Sequence, residues 1–269
     1  MTHAFRRLSI CLICAALLAL LCVAGLDRGS AQTANTKPRI FQINEYTIKA
    51  GMMPEYLEWS QKEARPLYLK AGVKEAYVFT TLYGEAGQVA RIEVHDSFAA
   101  LKERNAAFNK NNSPEALAAF RRGISRYIEP GRTIIAETRP ELSWRNPKRQ
   151  DLAPYVVLLR RWIAPFREPD YENYLKNEYL PLLKKADGAG ITVSRSRFGY
   201  EAGVYNVAIP IYDLAEFDSP LPVPKSIGQE AFRKLQQKGL TGVVMRSETR
   251  VLQLRPELSI IPGQSAAVK

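Results

Sequence analysis

The chain has 269 residues, a formal net charge of +11 and 46% hydrophobic residues. That length suits two domains of ordinary size, each with a real core, and the basic balance favours acidic ligands or anionic surfaces. Lysine and arginine are scattered through both halves with no nucleic-acid motif, so no nucleic acid is expected as a partner. The absence of a glycine-rich phosphate loop, G-x-S-x-G, H-E-x-x-H and C-x-x-C weakens the kinase and hydrolase classes.

Residues 1–31 have the layout of a secretory signal peptide: Arg6 and Arg7, an uncharged apolar run over 8–26, then the small residues Gly29, Ser30 and Ala31. The competing reading is a retained anchor, because the run approaches the roughly 20 residues that span a bilayer. All three cysteines (Cys11, Cys14, Cys22) lie in this segment. The remainder is expected to be exported to the periplasm or the extracellular space, without disulfides and without a stable membrane span after cleavage. Its charge is +9 once Arg6, Arg7, Arg28 and Asp27 are removed.

Residues 32–39 read as a linker. Aromatic and β-branched residues over Ile40–Ile48 predict a strand. Met53–Leu69 has near-helical apolar spacing, with Pro66 expected to kink or end the helix and Gly72 to stop the chain there. Ala76–Tyr83 and Val89–His95 form a hairpin across Gly84 and Gly87. A helix starts at Phe98 behind Asp96 or Ser97, breaks at Asn109–Asn112 and restarts behind Ser113 and Pro114. Thr133–Thr138 is the fourth strand. The order is β-α-β-β-α-β, a ferredoxin-like unit. The polar, proline-flanked Pro140–Pro154 marks a boundary.

The same order returns downstream. Tyr155–Ile163 is a strand and Pro169–Lys185 a helix with Pro181 in the place of Pro66. Ile191–Tyr200 and Val204–Tyr212 make a hairpin. Asp218–Lys225, with three prolines in five residues, should be unable to continue a helix. The helix is expected to resume at Ser226, with Ser226 and Gln229 as a capping box, and Ser247–Leu254 closes the series. Letters repeat as well as patterns. EARPLYLKA at Glu63–Ala71 is echoed by EYLPLLKKA at Glu178–Ala186, Tyr56 by Tyr171, and RPELS at Arg139–Ser143 by the identical Arg255–Ser259. Repeats at one spacing imply a duplicated unit. The fold class read here is α+β: two tandem ferredoxin-like domains, 40–144 and 155–260, with a linker over 145–154 and a tail over 261–269.

Ile43–Trp59 (INEYTIKAGMMPEYLEW) resembles the start of a NIPSNAP domain, and the hairpin leading into Glu93–Leu101 (EVHDSFAAL) is similar to NIPSNAP and antibiotic-biosynthesis-monooxygenase-like domains. The resemblance covers about one hundred residues of the first repeat. In the second, only the layout and scattered residues around Tyr155–Trp162 and Tyr171–Pro181 follow it. It implies the dimeric α/β-barrel class, in which two open sheets close on each other. Here the tandem copy would supply the second sheet within one chain. Fold does not fix function.

Arg91, Glu93 and His95 share one face of the third strand by alternation, with Ala208, Pro210 and Tyr212 as their rough second-copy equivalents. They are the candidate catalytic trio, Glu93 orienting His95 and Arg91 holding an anion. The competing reading, and the one preferred, is an Arg–Glu cross-strand pair with a polar histidine at the strand end. His95 is the only histidine beyond residue 31, which argues against a multi-histidine metal site. No cofactor and no metal is expected. Haem on His95, which the barrel class brings to mind, is the exception considered. Glu45, Tyr46, Tyr77, Tyr83, Tyr200 and Tyr205 are candidate ligand-binding residues for an apolar pocket with phenol hydroxyls. Arg195 and Arg197, with Arg160 and Arg161, are candidates for a basic cleft. The expected function is an exported binding protein for a small hydrophobic or acidic ligand or an envelope partner. The alternative is a cofactor-independent monooxygenase-like enzyme acting on an aromatic or polyketide-like substrate near His95. A homodimer is left open.

Overall fold

The computed structural model describes residues 37–149 and 151–263; the signal-like segment lies outside them. Nine strands are present among these residues: β1 (Ile40–Thr47), β2 (Ala76–Tyr83), β3 (Gln88–His95), β4 (Arg132–Thr138), β5 (Trp144–Arg145), β6 (Tyr155–Ile163), β7 (Gly190–Phe198), β8 (Val204–Ile211) and β9 (Val244–Leu254). The hydrogen-bonded order is β4-β1-β3-β2-β9-β6-β8-β7, and β4 pairs back onto β7. Eight antiparallel strands therefore close into a barrel with no free edge, and β5 adds two residues to the start of β7. No helix among the described residues is long and apolar enough to cross a membrane.

The two halves of the barrel repeat one register. Ile40 faces His95 and Glu137 in the first half, and Tyr155 faces Ile211 and Gln253 in the second. The seams repeat too: β2 meets β9 and β7 meets β4, each with one register shift. RPELS explains why those letters persisted. Each copy forms a 3-10 turn, Pro140–Leu142 and Pro256–Leu258. Arg139 N–H donates to Val193 O and Arg255 N–H to Val78 O, both at 2.8 Å. Val193 N–H donates to Ser143 Oγ at 2.9 Å and Val78 N–H to Ser259 Oγ at 3.0 Å. Each half thus ends by clipping onto the second strand of the other. The stretch over Pro140–Pro154, expected to be a boundary, contains one of these clips and β5 rather than free chain.

Among the described residues, six helices cover the outside. α1 runs through Met53–Trp59, Ser60–Ala64 and Arg65–Lys70. α2 is Phe98–Asn111 and α3 is Pro114–Tyr127. α4 runs through Glu168–Asn173, Tyr174–Tyr179 and Leu180–Lys185. α5 is Pro222–Ile227 and α6 is Gln229–Leu240. Neither Pro66 nor Pro181 ends its helix. A π-helical turn precedes each, with Arg65 N–H donating to Ser60 O and Leu180 N–H to Leu175 O. Widening the ladder by one residue gives the proline ring room against the carbonyl it would otherwise strike. The proline-rich insert also differs from expectation. Pro222 and Pro224 begin α5, because first-turn residues have no intrahelical N–H bond to lose. Ser226 forms no capping box: its Oγ donates to Val223 O at 2.9 Å, and Gly228 at φ 85° separates α5 from α6. The capping box lies at Asp213 and Glu216.

Alternation sorts the side chains into two environments. Phe41, Ile43, Ile92, Ile134, Phe79, Leu158, Leu252 and Leu254 pack in the barrel interior. The opposite faces pack against helices, in the first half around Tyr56, Trp59 and Tyr127 and in the second around Tyr171, Tyr174, Val207, Ile209 and Ile211.

Candidate ligand-binding cavity

Strand β1 presents Gln42, Asn44 and Tyr46 at period two toward the helices, β3 presents Arg91, and α1 brings Tyr56, Trp59, Ser60, Ala64 and Tyr68 over them. Between these elements and α2 and α3 lies a cavity of about 600 Å³. Its walls are aromatic. Trp59 stacks on Phe120 with centroids 5.8 Å apart, and Phe108 and Tyr68 meet Phe120 at 5.5 and 5.9 Å. The Tyr46 and Tyr56 hydroxyls are 2.7 Å apart. Gly123 on α3 seats the indole, since a Cβ there would lie 2.2 Å from Trp59.

One carboxylate serves two guanidinium groups at the wall of this cavity. Glu93 is fully buried. Its Oε1 accepts from Arg91 Nε at 3.2 Å and its Oε2 from Arg104 Nε at 2.6 Å. Burial pushes Glu93 up, but Arg91 and Arg104 outweigh it and hold the carboxyl below its usual range. Arg91 is 5% exposed and lies face-on over Tyr68, with Cζ 3.5 Å from the ring centroid. Burial raises the phenols of Tyr46, Tyr56 and Tyr68, keeping them neutral. Among the described residues, Arg91 Nη2, Trp59 Nε1 and Gln42 Oε1 are buried without a hydrogen-bond partner. All three residues line the cavity.

The trio is divided. Arg91 lines the cavity, Glu93 anchors it from beneath, and His95 opens onto a separate cleft of about 480 Å³ with Arg39, Glu75, Asp96 and Glu103. His95 Nε2 is 3.9 Å from Glu93 Oε2, too far for a hydrogen bond. Burial lowers the His95 pKa, with Arg104 and Arg39 acting in the same direction and Glu93 against them. The cleft mixes these charged groups with the small side chains of Ala71, Val73, Ala100 and Ala107, and no chemistry is routed through haem. The second-copy equivalents also need correction. Register places Val207, Ile209 and Ile211 opposite the positions of Arg91, Glu93 and His95. Ala208, Pro210 and Tyr212 are one residue out, and such a slip exchanges the two sheet faces.

The other candidates do not assemble into one site. Glu45 and Tyr200 line the barrel mouth, a cavity of about 670 Å³. There Glu45 accepts from Arg160 at 2.5 Å, Arg250 at 3.2 Å and Tyr200 at 3.2 Å. Burial raises Glu45, yet the two arginines hold it below the ordinary carboxylate range. Tyr77 packs inside the barrel and donates to Glu75 at 3.1 Å. Tyr83 is 59% exposed beside Leu214 and Phe217. Tyr205 is buried under α4, donating to Glu172 at 2.5 Å. Arg195 and Arg197 are held by Glu168 at 3.3 Å and Glu137 at 2.9 Å. β6 and β7 flank β8 on opposite sides, so these arginines form no cleft with Arg160 and Arg161. Trp59, Tyr68, Arg104, Phe108, Phe120 and Gln42 are site residues that sequence reasoning passed over. A readable signal existed, since small Ser60 and Ala64 stand where the second copy has Leu175 and Tyr179.

These features define a protein of the dimeric α/β-barrel class, with the barrel closed inside one chain. No family model and no curated relative matches the chain. Among solved structures, a candidate monooxygenase from Fusobacterium nucleatum superposes with a TM-score of 0.56 at 10% identity, over 81% of this chain and 93% of that one. An anthrone oxidase-like protein gives 0.56 at 13%, over 87% and 98%. A NIPSNAP family protein of unknown function from Agrobacterium tumefaciens gives 0.33 at 24%, over 38% and 89%. The first two likenesses, over most of both chains, show the fold.

Proposed function

We propose that the chain is an exported small-molecule-binding protein made of two copies of one β-α-β-β-α-β module, residues 40–144 and 155–260. In this reading the first copy keeps a ligand cavity and the second has filled its own. The observation that carries it is the contrast between the two helix–sheet interfaces. The first holds about 600 Å³ beside Arg91. The second leaves about 280 Å³ beneath Tyr174, Leu175 and Tyr179, against a usual range for ligand sites of roughly 300–1,000 Å³. Export is supported by the pattern of residues 1–31, and the repeated strand register supports the duplication. The barrel closes without a second chain, so dimerisation is not needed to complete the fold.

Binding is favoured over oxygenase chemistry because the groups nearest the aromatic walls are poor bases, and Glu129 lies exposed at the open rim. The phenols are raised, Glu93 is saturated by two arginines, and His95 faces another cleft. The test is a Trp144→Phe/Trp162→Phe variant, in which Trp59 is the only tryptophan left in the described region. It is titrated with a panel of neutral and charged bicyclic aromatics. Saturable 1:1 changes in emission without consumption of ligand or oxygen are expected. No response to any member, or oxygen-dependent conversion of one, contradicts the reading.

A further inference from the structure

Resting on that reading of the cavity, we infer that its ligand is a flat aromatic carboxylate, with Arg91 holding the carboxylate and Trp59 packing against the ring. Arg91 and Arg104 share the single carboxylate of Glu93, which leaves one positive charge in excess at a wall where Arg91 is 95% removed from water. An uncompensated charge in such a place is costly unless a counter-charge reaches it. Among the described residues, Arg91 and Arg104 have no second carboxylate within ion-pair distance. The lining phenols are held neutral by burial. Glu45 is committed to Arg160 and Arg250 on the other face of β1. Glu129, at the open rim, is exposed.

The hydrogen-bonding inventory agrees with the charge. At this wall Arg91 Nη2 is a buried donor without a partner, the one a carboxylate would meet. Trp59 Nε1 is also unpartnered, but its edge of the indole packs on Gly123. Arg91 donates its Nε to Glu93 and stacks on Tyr68, so its guanidinium plane is fixed before any ligand arrives, which reduces the entropy lost on binding. The third unpartnered atom, Gln42 Oε1, is an acceptor and would take a ring hydroxyl. The stacked rings of Trp59 and Phe120 and the edges of Phe108 and Tyr68 select a planar apolar body rather than a sugar or a peptide.

The experiment compares 2-naphthoate with its neutral isostere 2-naphthamide by calorimetry. It uses the chain lacking residues 1–31 and its Arg91→Met and Trp59→Phe variants, with folding checked by circular dichroism. The naphthoate should bind tenfold or more tightly than the amide, about what a charge-assisted hydrogen bond supplies. Arg91→Met should bring the two ligands to parity. Trp59→Phe, which keeps a ring but loses stacking area, should weaken both ligands alike and leave their ratio unchanged. Equal affinities in the parent protein, or a preference that survives Arg91→Met, overturn the carboxylate inference and leave the cavity reading standing. Binding of neither ligand sinks both.

Discussion

Glu45 and Arg160 occupy matching places on β1 and β6, and they meet inside the barrel with Arg160 Nη2 2.5 Å from Glu45 Oε1. In a symmetric pair of identical modules, equivalent residues this close to the two-fold would be identical and would repel. The duplication proposed above lets the two halves of one chain carry opposite signs. Breaking a pair this buried by removing one partner costs about 3–5 kcal/mol, because the other charge is stranded. Glu45→Gln and Arg160→Met should each lower stability to urea by that amount. The exchange Glu45→Arg/Arg160→Glu should recover little of it, because it sets an arginine against Arg250 and a carboxylate beside Glu248. The stability from Glu45 is present above its unfolded pKa, about 4.3, and is lost as pH falls through its lower folded value.

The RPELS clips predict paired effects. Ser143→Ala and Ser259→Ala each leave a β-strand N–H, of Val193 or Val78, without its acceptor. Each should cost about 1–3 kcal/mol. The double variant should cost close to their sum, since the clips lie on different seams and share no partner. Urea midpoints of the three variants check this.

Glycines at matching places in α3 and α6 separate stability from binding. A Cβ at Gly123 would lie 2.2 Å from Trp59, and one at Gly239 would lie 2.1 Å from Tyr174. Alanine at either position should destabilise by about 1–3 kcal/mol through overpacking, despite its better helix propensity. Gly123→Ala should also weaken aromatic ligands, because it displaces a cavity wall. Gly239→Ala should leave them unaffected. Thermal melts and titrations on the same samples distinguish the two.

His95 makes the fold sensitive to mild acid. Burial, Arg104 and Arg39 hold its pKa below the ordinary value of about 6.5, with Glu93 and Asp96 opposing. The unfolded chain therefore binds a proton that the folded chain refuses. This contribution is complete above about pH 6.5 and is lost as pH falls from there through the lower folded value. Between pH 7 and 5, His95→Gln should flatten the fall in urea midpoint relative to the parent. An unchanged slope contradicts the assignment.

The sequence showed the fold wherever backbone geometry demands a particular residue. Pro66 and Pro181 sit behind the same π-turn, and the two RPELS segments make the same 3-10 clip, so selection left the letters visible. The cavity left fewer marks, because it is assembled from β1, β3 and three helices that are distant in the chain. Its signature is a deficit, Ser60 and Ala64 in place of Leu175 and Tyr179, and apolar periodicity counts such positions without weighing their volume. The mismatch of Ala208 with Arg91 came from one added residue in the second hairpin loop. EARPLYLKA and EYLPLLKKA are 115 apart and the RPELS copies 116, and that single step decides which face a side chain takes.

The most direct test of the account is to build the second copy's filling into the first. Ala64→Tyr places Tyr179's side chain in the cavity of about 600 Å³. The account predicts a folded variant with melting at or above the parent's and no measurable binding of any aromatic ligand that the parent binds. Undiminished binding by that folded variant would put the ligand site elsewhere and contradict the central claim.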